Sequence, residues 1–175
     1  MPNNAVRFKH LNPIRSFDDK LLGKIEFQLN ELPNQFAIKR KDGLIAYQLA
    51  VVVDDIQQGI TEVARGADLL PATVFQLALY RAFDCVSPDF LHFPVVVSET
   101  GRKLSKQNHA PAIHENRVMD NLVAALGFLG LPVNSDMFAS DPETILAWAI
   151  ENWDLKKLVA KTEQIDNRIA QADSI

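Results

Sequence analysis

Residues 59–97 read GITEVARGADLLPATVFQLALYRAFDCVSPDFLHFPVVV, and three patterns follow one another along them. Residues 59–63 offer a short strand, and residues 73–83 carry apolar side chains at helical spacing. Residues 90–97 are almost continuously apolar, which is typical of a buried strand, although Pro94 suggests an edge or an irregular start. The order strand, helix, strand predicts an α/β fold.

The segment that precedes this stretch predicts more β structure. Residues 5–9 and 35–40 alternate apolar and polar side chains, as half-buried strands do. Residues 41–43, Lys-Asp-Gly, are a turn signal that leads into the apolar run LIAYQLAVVV at residues 44–53. The uniform apolarity of this run predicts a strand covered on both faces, which would form a hairpin with residues 35–40.

The segment that follows predicts an irregular loop and then helices. Residues 99–116 are polar and rich in turn formers. Residues 117–129 show helical spacing that ends at Gly130. Ser140 begins a Ser-x-x-Glu capping box with proline in the first turn, which predicts a helix to about residue 153. Residues from 155 onward predict a weaker helix.

The composition indicates a soluble globular chain. Of the 175 residues, 47% are hydrophobic, which is enough for one sizeable core. The longest apolar run is about half the length that a membrane-spanning helix needs. The first residues contain no apolar signal core, and the single Cys85 has no partner for an internal disulfide. We therefore expect a cytoplasmic protein that does not associate with membranes.

Positive charge is concentrated in two regions, although the formal net charge is −4. Residues 7–41 contain eight Lys or Arg and four Asp or Glu, and Arg102, Lys103 and Lys106 form a second cluster. A polyanion would meet these two regions. A solvated charged face explains the same pattern, and charge alone favours that explanation.

Lys103 and Lys106 lie three residues apart in a loop that follows a predicted buried strand, where α/β sheets place their ligands. Two cations there suit a polyphosphate, because they would stabilise the charge that builds up as an acid attacks ATP. Such pairs also occur by chance in solvated loops. The four histidines and Cys85 lack the spacing of a metal site, so no metal is predicted within the chain.

The segment KLSKQ at residues 103–107 resembles the KMSKS signature of class I aminoacyl-tRNA synthetases. Residues 40–70 and 88–112 resemble the second half of a glutamyl-type catalytic domain, and the resemblance extends over about residues 1–130. It implies the C-terminal half of a Rossmann-like catalytic domain followed by a small helical region. The resemblance implies a connecting β segment at residues 1–43, the half of the catalytic domain at residues 44–112, and the helical region at residues 113–175.

The resemblance also implies roles for individual residues. ATP, with Mg²⁺, would be bound by Lys103, Leu104, Ser105, Lys106 and Gln107, with Lys106 as the catalytic cation and Lys103 supporting it. L-glutamate would be bound by Tyr47 and Arg65, and an arginine can fork onto a carboxylate with two parallel hydrogen bonds. Spacing alone favours a surface salt bridge from Arg65 to Asp68 or Glu62, and Tyr47 could equally be a core tyrosine.

Two features resemble the glutamyl-queuosine tRNA(Asp) synthetase branch of this family. The chain has GITEVARG at residues 59–66 and KLSKQNHA at residues 103–110, and only 68 residues follow Gln107. That length is too short for an anticodon-binding domain. The resemblance implies an ATP-dependent ligase that takes the anticodon stem-loop of tRNA(Asp) into its catalytic cleft and esterifies glutamate onto queuosine.

The chain lacks the HIGH-like ATP motif and the zinc-binding module of the family, so zinc is expected only in a missing N-terminal half. The 175 residues alone are expected to be inactive. Two alternatives remain open. The chain could be a fragment of a conventional glutamyl-tRNA synthetase. It could also be a catalytically inactive remnant that binds RNA or a protein, and the exposed apolar face of its incomplete sheet could drive self-association.

Overall fold

A computed structural model describes residues 4–28, 30–99, 102–105, 112–113 and 115–166. The chain forms two compact units, Met1–Phe93 and Pro94–Ile175. The division into segments 1–43, 44–112 and 113–175 remains a prediction.

The first unit is built on a four-stranded sheet in the order β3-β2-β6-β5. Strands β2 and β5 both run parallel to β6, and β3 is antiparallel to β2. Helix α2 connects the parallel strands β5 and β6, which confirms the predicted strand, helix, strand order and the α/β fold class. The elements are β1 Val6–Lys9, β2 Ser16–Asp19, β3 Gly23–Glu26, β4 Gln35–Lys39, α1 Tyr47–Gln58, β5 Glu62–Gly66, α2 Leu70–Ala82 and β6 Asp89–Phe93.

The apolar run at residues 44–53 is not a strand, and its prediction was wrong. From Tyr47 onward it forms the start of α1, because a short apolar run fits a buried helix as well as a buried strand. Leu49, Val52 and Ile56 follow helical spacing and pack in one apolar cluster with Phe36 of β4 and Leu79 of α2. The helix ends at Gly59, whose φ of 66° is a conformation that glycine adopts without strain.

The predicted hairpin is therefore wrong, although its turn is present. The Gly43 amide donates to the Arg40 carbonyl at 3.0 Å, but the chain beyond it returns to β4 through a single bridge between Lys39 and Ile45. Strand β4 pairs instead with β1 in an antiparallel ribbon. The strands predicted at residues 5–9 and 35–40 are confirmed.

The second unit combines a three-stranded sheet, in the order β8-β7-β9, with two helices. Strand β7 is antiparallel to β8 and parallel to β9. The helices enclose an apolar core whose buried members are Val123, Leu126, Leu131, Met137, Ile145 and Ala149. The elements are β7 Val95–Glu99, β8 Arg102–Lys103, α3 Val118–Phe128, α4 Pro142–Asn152 and β9 Glu163–Ile165.

Three predictions for this unit need correction. The apolar run at residues 90–97 divides at Pro94 into β6 and β7, which belong to different sheets, because proline has no amide hydrogen for a ladder. The Arg102–Lys103 strand interrupts the predicted loop at residues 99–116. The weaker helix predicted from residue 155 is absent from the described residues there, where a short turn leads to β9.

The two other predicted helices are confirmed as α3 and α4. The cap of α4 is Asp141 rather than Ser140: the Asp141 carboxylate accepts from the Thr144 amide at 2.9 Å and from the Thr144 hydroxyl at 2.7 Å. Hydrogen bonding to Thr144 lowers the pKa of Asp141. Among the described residues, no helix has the length and apolarity that a membrane span requires.

Gly130, just beyond α3, should tolerate an added methyl group poorly. Its φ is 79°, and an added Cβ would lie 2.8 Å from the Lys157 carbonyl oxygen. Gly130→Ala should therefore lower the free energy of unfolding by about 2 kcal/mol or more. Urea denaturation followed by circular dichroism measures this loss.

Gly127→Ala is the matched control. Gly127 lies inside α3, and an added Cβ there would meet the Val133 side chain at 3.4 Å. The helix interior favours alanine over glycine by about 1 kcal/mol, so this variant should be neutral or stabilised. Equal losses in the two variants would contradict the close approach of Lys157.

Candidate functional site

Three side chains meet near the carboxyl ends of the parallel strands in the first unit. The register of β5 and β6 places Arg65 directly beside His92. Asp19 is the last residue of β2, on the other side of β6, where it is paired with Phe90. Open α/β sheets place their ligands at this edge, so the cluster lies where a binding site is expected.

Arg65 and His92 are joined by a hydrogen bond that defines the state of the histidine. The Arg65 Nε donates to His92 Nε2 at 3.1 Å, so Nε2 carries no hydrogen. The hydrogen is therefore on Nδ1, which donates to Asp19 Oδ2 at 2.7 Å. Burial lowers the pKa of His92, and the charge of Arg65 lowers it further, against the opposing effect of Asp19. His92 is accordingly a neutral imidazole.

Asp19 anchors this chain of bonds from a buried position. Neither the Asp19 nor the His92 side chain is exposed to solvent. Asp19 Oδ1 accepts from the backbone amides of Leu21 and Leu22, at 3.0 and 2.9 Å. The turn after β2 thus supplies donors to the carboxylate, which offset the cost of its burial.

Thr73 of α2 accepts a second hydrogen bond from the same arginine. The Arg65 Nη2 donates to Thr73 Oγ1 at 2.6 Å, and the Thr73 side chain is fully buried. Thr73 Oγ1 lies 3.2 Å from the Leu69 carbonyl and 3.1 Å from His92 Nε2. Since Arg65 already occupies the single lone pair of Nε2, the hydroxyl hydrogen goes to Leu69.

Tyr47, the first residue of α1, lies beside the Arg65 guanidinium. Burial lowers the pKa of Arg65, and the nearby Tyr47 hydroxyl opposes this shift most strongly. Tyr47 is 54% exposed, so it is not a core tyrosine. Gln76 of α2 donates to Gln48 of α1 at 2.8 Å and fixes the start of that helix.

The surroundings of Arg65 add an aromatic face and a buried hydroxyl. The guanidinium carbon lies 5.0 Å from the centre of the Phe90 ring, a favourable cation–π distance. The Tyr80 hydroxyl donates to Asp55 Oδ2 at 3.1 Å, and burial raises the pKa of Tyr80. Glu62, one predicted partner of Arg65, forms its ion pair with Lys20 instead.

The structure therefore brings the predicted residues Tyr47 and Arg65 together. A partly buried guanidinium next to a tyrosine hydroxyl can bind a carboxylate by charge-assisted hydrogen bonds. Sequence reasoning missed Asp19, Thr73 and His92, which come from three separate elements. The one local signal was a histidine inside the otherwise apolar segment FLHFPVVV.

The KLSKQ segment is described only in part. Lys103 lies in β8 opposite Val97, and the Leu104 amide donates to the Val96 carbonyl at 2.9 Å. Ser105 follows and is partly exposed. Lys106 and Gln107 lie outside the described residues, so their proposed roles remain predictions. No group of three or more His, Cys, Asp or Glu within the described part of the chain is arranged to hold a metal ion.

The basic region at residues 7–41 divides into two kinds of surface. Lys20, Lys24 and Arg40 form ion pairs with nearby acids, as a solvated charged face does. Arg7, Lys9 and Lys39 are exposed on the β1–β4 ribbon, whose Phe8 and Phe36 pack into the core. Within the described residues, these three cations form no ion pair. We call Arg7, Lys9 and Lys39 the cationic ribbon.

Residues 2–137 match the family model of class I tRNA synthetases (E and Q), catalytic domain. The chain is 49% identical over 158 residues to a glutamyl-Q tRNA(Asp) synthetase of Cronobacter sakazakii, a match that covers 90% of this chain and 53% of that protein. It is 44% identical over 163 residues to the corresponding protein of Photobacterium profundum, covering 93% of this chain and 53% of that protein. The chain thus spans about half the length of these curated relatives.

A solved structure shares the fold. The glutamate-tRNA synthetase of Elizabethkingia anophelis superposes with a TM-score of 0.66 at 22% identity, over 96% of this chain and 38% of that chain. Because the family model covers most of the chain and the fold agrees with it, the chain belongs to the glutamyl and glutaminyl class I tRNA synthetase family and carries part of its catalytic domain.

Proposed function

We propose that the full-length protein containing this chain activates L-glutamate with ATP and transfers it to the queuosine of tRNA(Asp). The observation that carries the proposal is the pairing of Tyr47 with a partly buried Arg65 at the carboxyl edge of the parallel strands. The names of the relatives at 42–49% identity support the same substrates.

The glutamate end of the site is assigned to Arg65 and Tyr47. Arg65 is held by two neutral acceptors, an imidazole and a hydroxyl, which leave its positive charge uncompensated by those bonds. A substrate carboxylate would compensate this charge and accept two parallel hydrogen bonds. The Tyr47 hydroxyl would supply a further polar contact from the exposed side.

Arg65→Lys should raise the KM for glutamate roughly tenfold or more, because lysine keeps the charge but loses the fork. Glutamate-dependent exchange of pyrophosphate into ATP by the full-length protein measures the change. Glu62→Gln is the matched control: Glu62 lies on the same strand, but its charge is paired with Lys20. A glutamate KM that is unchanged in Arg65→Lys would remove Arg65 from the pocket.

The ATP end of the site is assigned to residues 103–107. Lys103 and Lys106 would stabilise charge on the α-phosphate and pyrophosphate during adenylate formation, with Mg²⁺ bound to the phosphates. The short antiparallel pair of β7 and β8 supports this role, because it places the beginning of the segment on a hydrogen-bonded sheet. Leu104, Ser105 and Gln107 complete the proposed contact.

The RNA partner is assigned mainly to the cationic ribbon, because Arg102 of β8 is already paired with Glu99 at 3.5 Å. Lys9 and Lys39 project from adjacent strands, and neither is neutralised by a described acid. Lys9→Ala and Lys39→Ala should each weaken binding of tRNA(Asp) and reduce the slope of log Kd against log salt by about 1.

Lys24→Ala is the control for the ribbon, because Lys24 is already paired with Glu26. Its effect on the salt slope should be small. Filter binding over a range of potassium chloride concentrations distinguishes these variants. Equal salt slopes for Lys9→Ala, Lys39→Ala and Lys24→Ala would show that the RNA does not contact the cationic ribbon.

The decisive experiment locates the glutamate on the RNA. Radiolabelled glutamate should appear on tRNA(Asp) that contains queuosine and should remain after removal of the 3′ terminal adenosine. Glutamate attached to the 3′ end of tRNA(Glu) would instead support a conventional glutamyl-tRNA synthetase. RNA binding without glutamate-dependent exchange would support the inactive remnant.

A further inference from the structure

The bonds of Arg65 leave one edge of its guanidinium for a ligand. A guanidinium can fork through Nε and Nη2 on one edge or through Nη1 and Nη2 on the other. The first edge is occupied, since Nε donates to His92 and Nη2 donates to Thr73. Apart from the nearby Tyr47 hydroxyl, which also interacts with the guanidinium, no described residue accepts a hydrogen bond from the second edge, and this edge is the one left for a substrate.

Both acceptors on the occupied edge are held by further bonds. His92 is oriented by Asp19, which is itself bound by two backbone amides after β2. Thr73 is oriented by the Leu69 carbonyl one helical turn earlier. His92 and Thr73 are fully buried, so neither can turn toward water without opening the unit. The orientation of Arg65 is therefore determined before any ligand arrives.

We propose that Thr73 and His92, with Asp19 behind His92, are positioning residues that hold Arg65 by its Nε/Nη2 edge and present its Nη1/Nη2 edge to a carboxylate of the amino-acid substrate. This inference rests on the proposed function, which makes Arg65 a glutamate ligand. A pre-oriented fork loses less conformational entropy on binding than a mobile one, so the positioning residues act on glutamate affinity.

Thr73→Val tests the inference with little change of volume, because it replaces the hydroxyl by a methyl group. The glutamate KM of the full-length protein should rise roughly tenfold, the scale of losing a hydrogen bond to a charged group. The KM for ATP should stay the same. Thr73→Ser retains the hydroxyl and should restore most of the affinity. Equal glutamate KM values for Thr73→Val and Thr73→Ser, or a parallel rise in the KM for ATP, would overturn the proposal.

A second pair of variants separates the two bonds of His92. The side-chain amide of glutamine reaches the position of Nε2 and can accept from Arg65, whereas that of asparagine reaches only the position of Nδ1 and can bond to Asp19. His92→Asn should therefore raise the glutamate KM more than His92→Gln. The reverse order would show that His92 acts through Asp19 and the fold rather than through Arg65.

Nitrogen NMR of the 175-residue chain provides a test that does not depend on activity. His92 should show a protonated Nδ1 and an unprotonated Nε2, and the Arg65 Nε hydrogen should exchange with water more slowly than that of the exposed Arg7. A hydrogen on Nε2 or an unprotected Arg65 would overturn the positioning. The full-length protein could show an ordered Arg65 but no glutamate-dependent exchange of pyrophosphate into ATP. That result would overturn the proposed function and leave the positioning of the guanidinium standing.

Discussion

The parallel register of β5 and β6 is the constraint on which the site depends. It sets Arg65 opposite His92 and, through the neighbouring β2, brings Asp19 to the same edge of the sheet. A slip of one residue would turn each side chain to the other face and separate the three groups. The apolar layers of the first unit, with α2 buried along most of its length, hold this register. Packing and site geometry are therefore stabilised by the same residues.

The site also shows how a buried carboxylate can support a cation without contacting it. Asp19 is fully buried, and its charge is compensated locally by backbone amides and by the Nδ1 hydrogen of His92. The neutral imidazole then offers its lone pair to Arg65. A carboxylate in place of His92 would pair with Arg65 directly and reduce its attraction for a substrate anion. The intervening histidine fixes the arginine and leaves its charge available.

The two units contribute different parts of the proposed chemistry. The first unit holds the residues assigned to glutamate and most of the cationic surface assigned to RNA. The second unit holds the beginning of the KLSKQ segment on β7 and β8, with α3 and α4 forming a separate apolar core. The two units divide at Pro94. Proline has no amide hydrogen for a sheet ladder, so β6 ends before it and β7 begins after it.

Local sequence patterns were sufficient for β1, β4, α2, α3 and α4, because each has a periodicity or a cap that neighbouring residues specify. The family resemblance was also visible in the sequence, and it implied that Tyr47 and Arg65 bind the same substrate. Other features required distant contacts. The run at residues 44–53 could pack as a helix or a strand, and only its burial against β4 and α2 selected the helix. Strand β9 exists because β7 supplies its hydrogen bonds. Asp19, Thr73 and His92 meet only after the sheet has formed, because hydrogen bonds between residues up to 73 positions apart leave no local pattern in the chain.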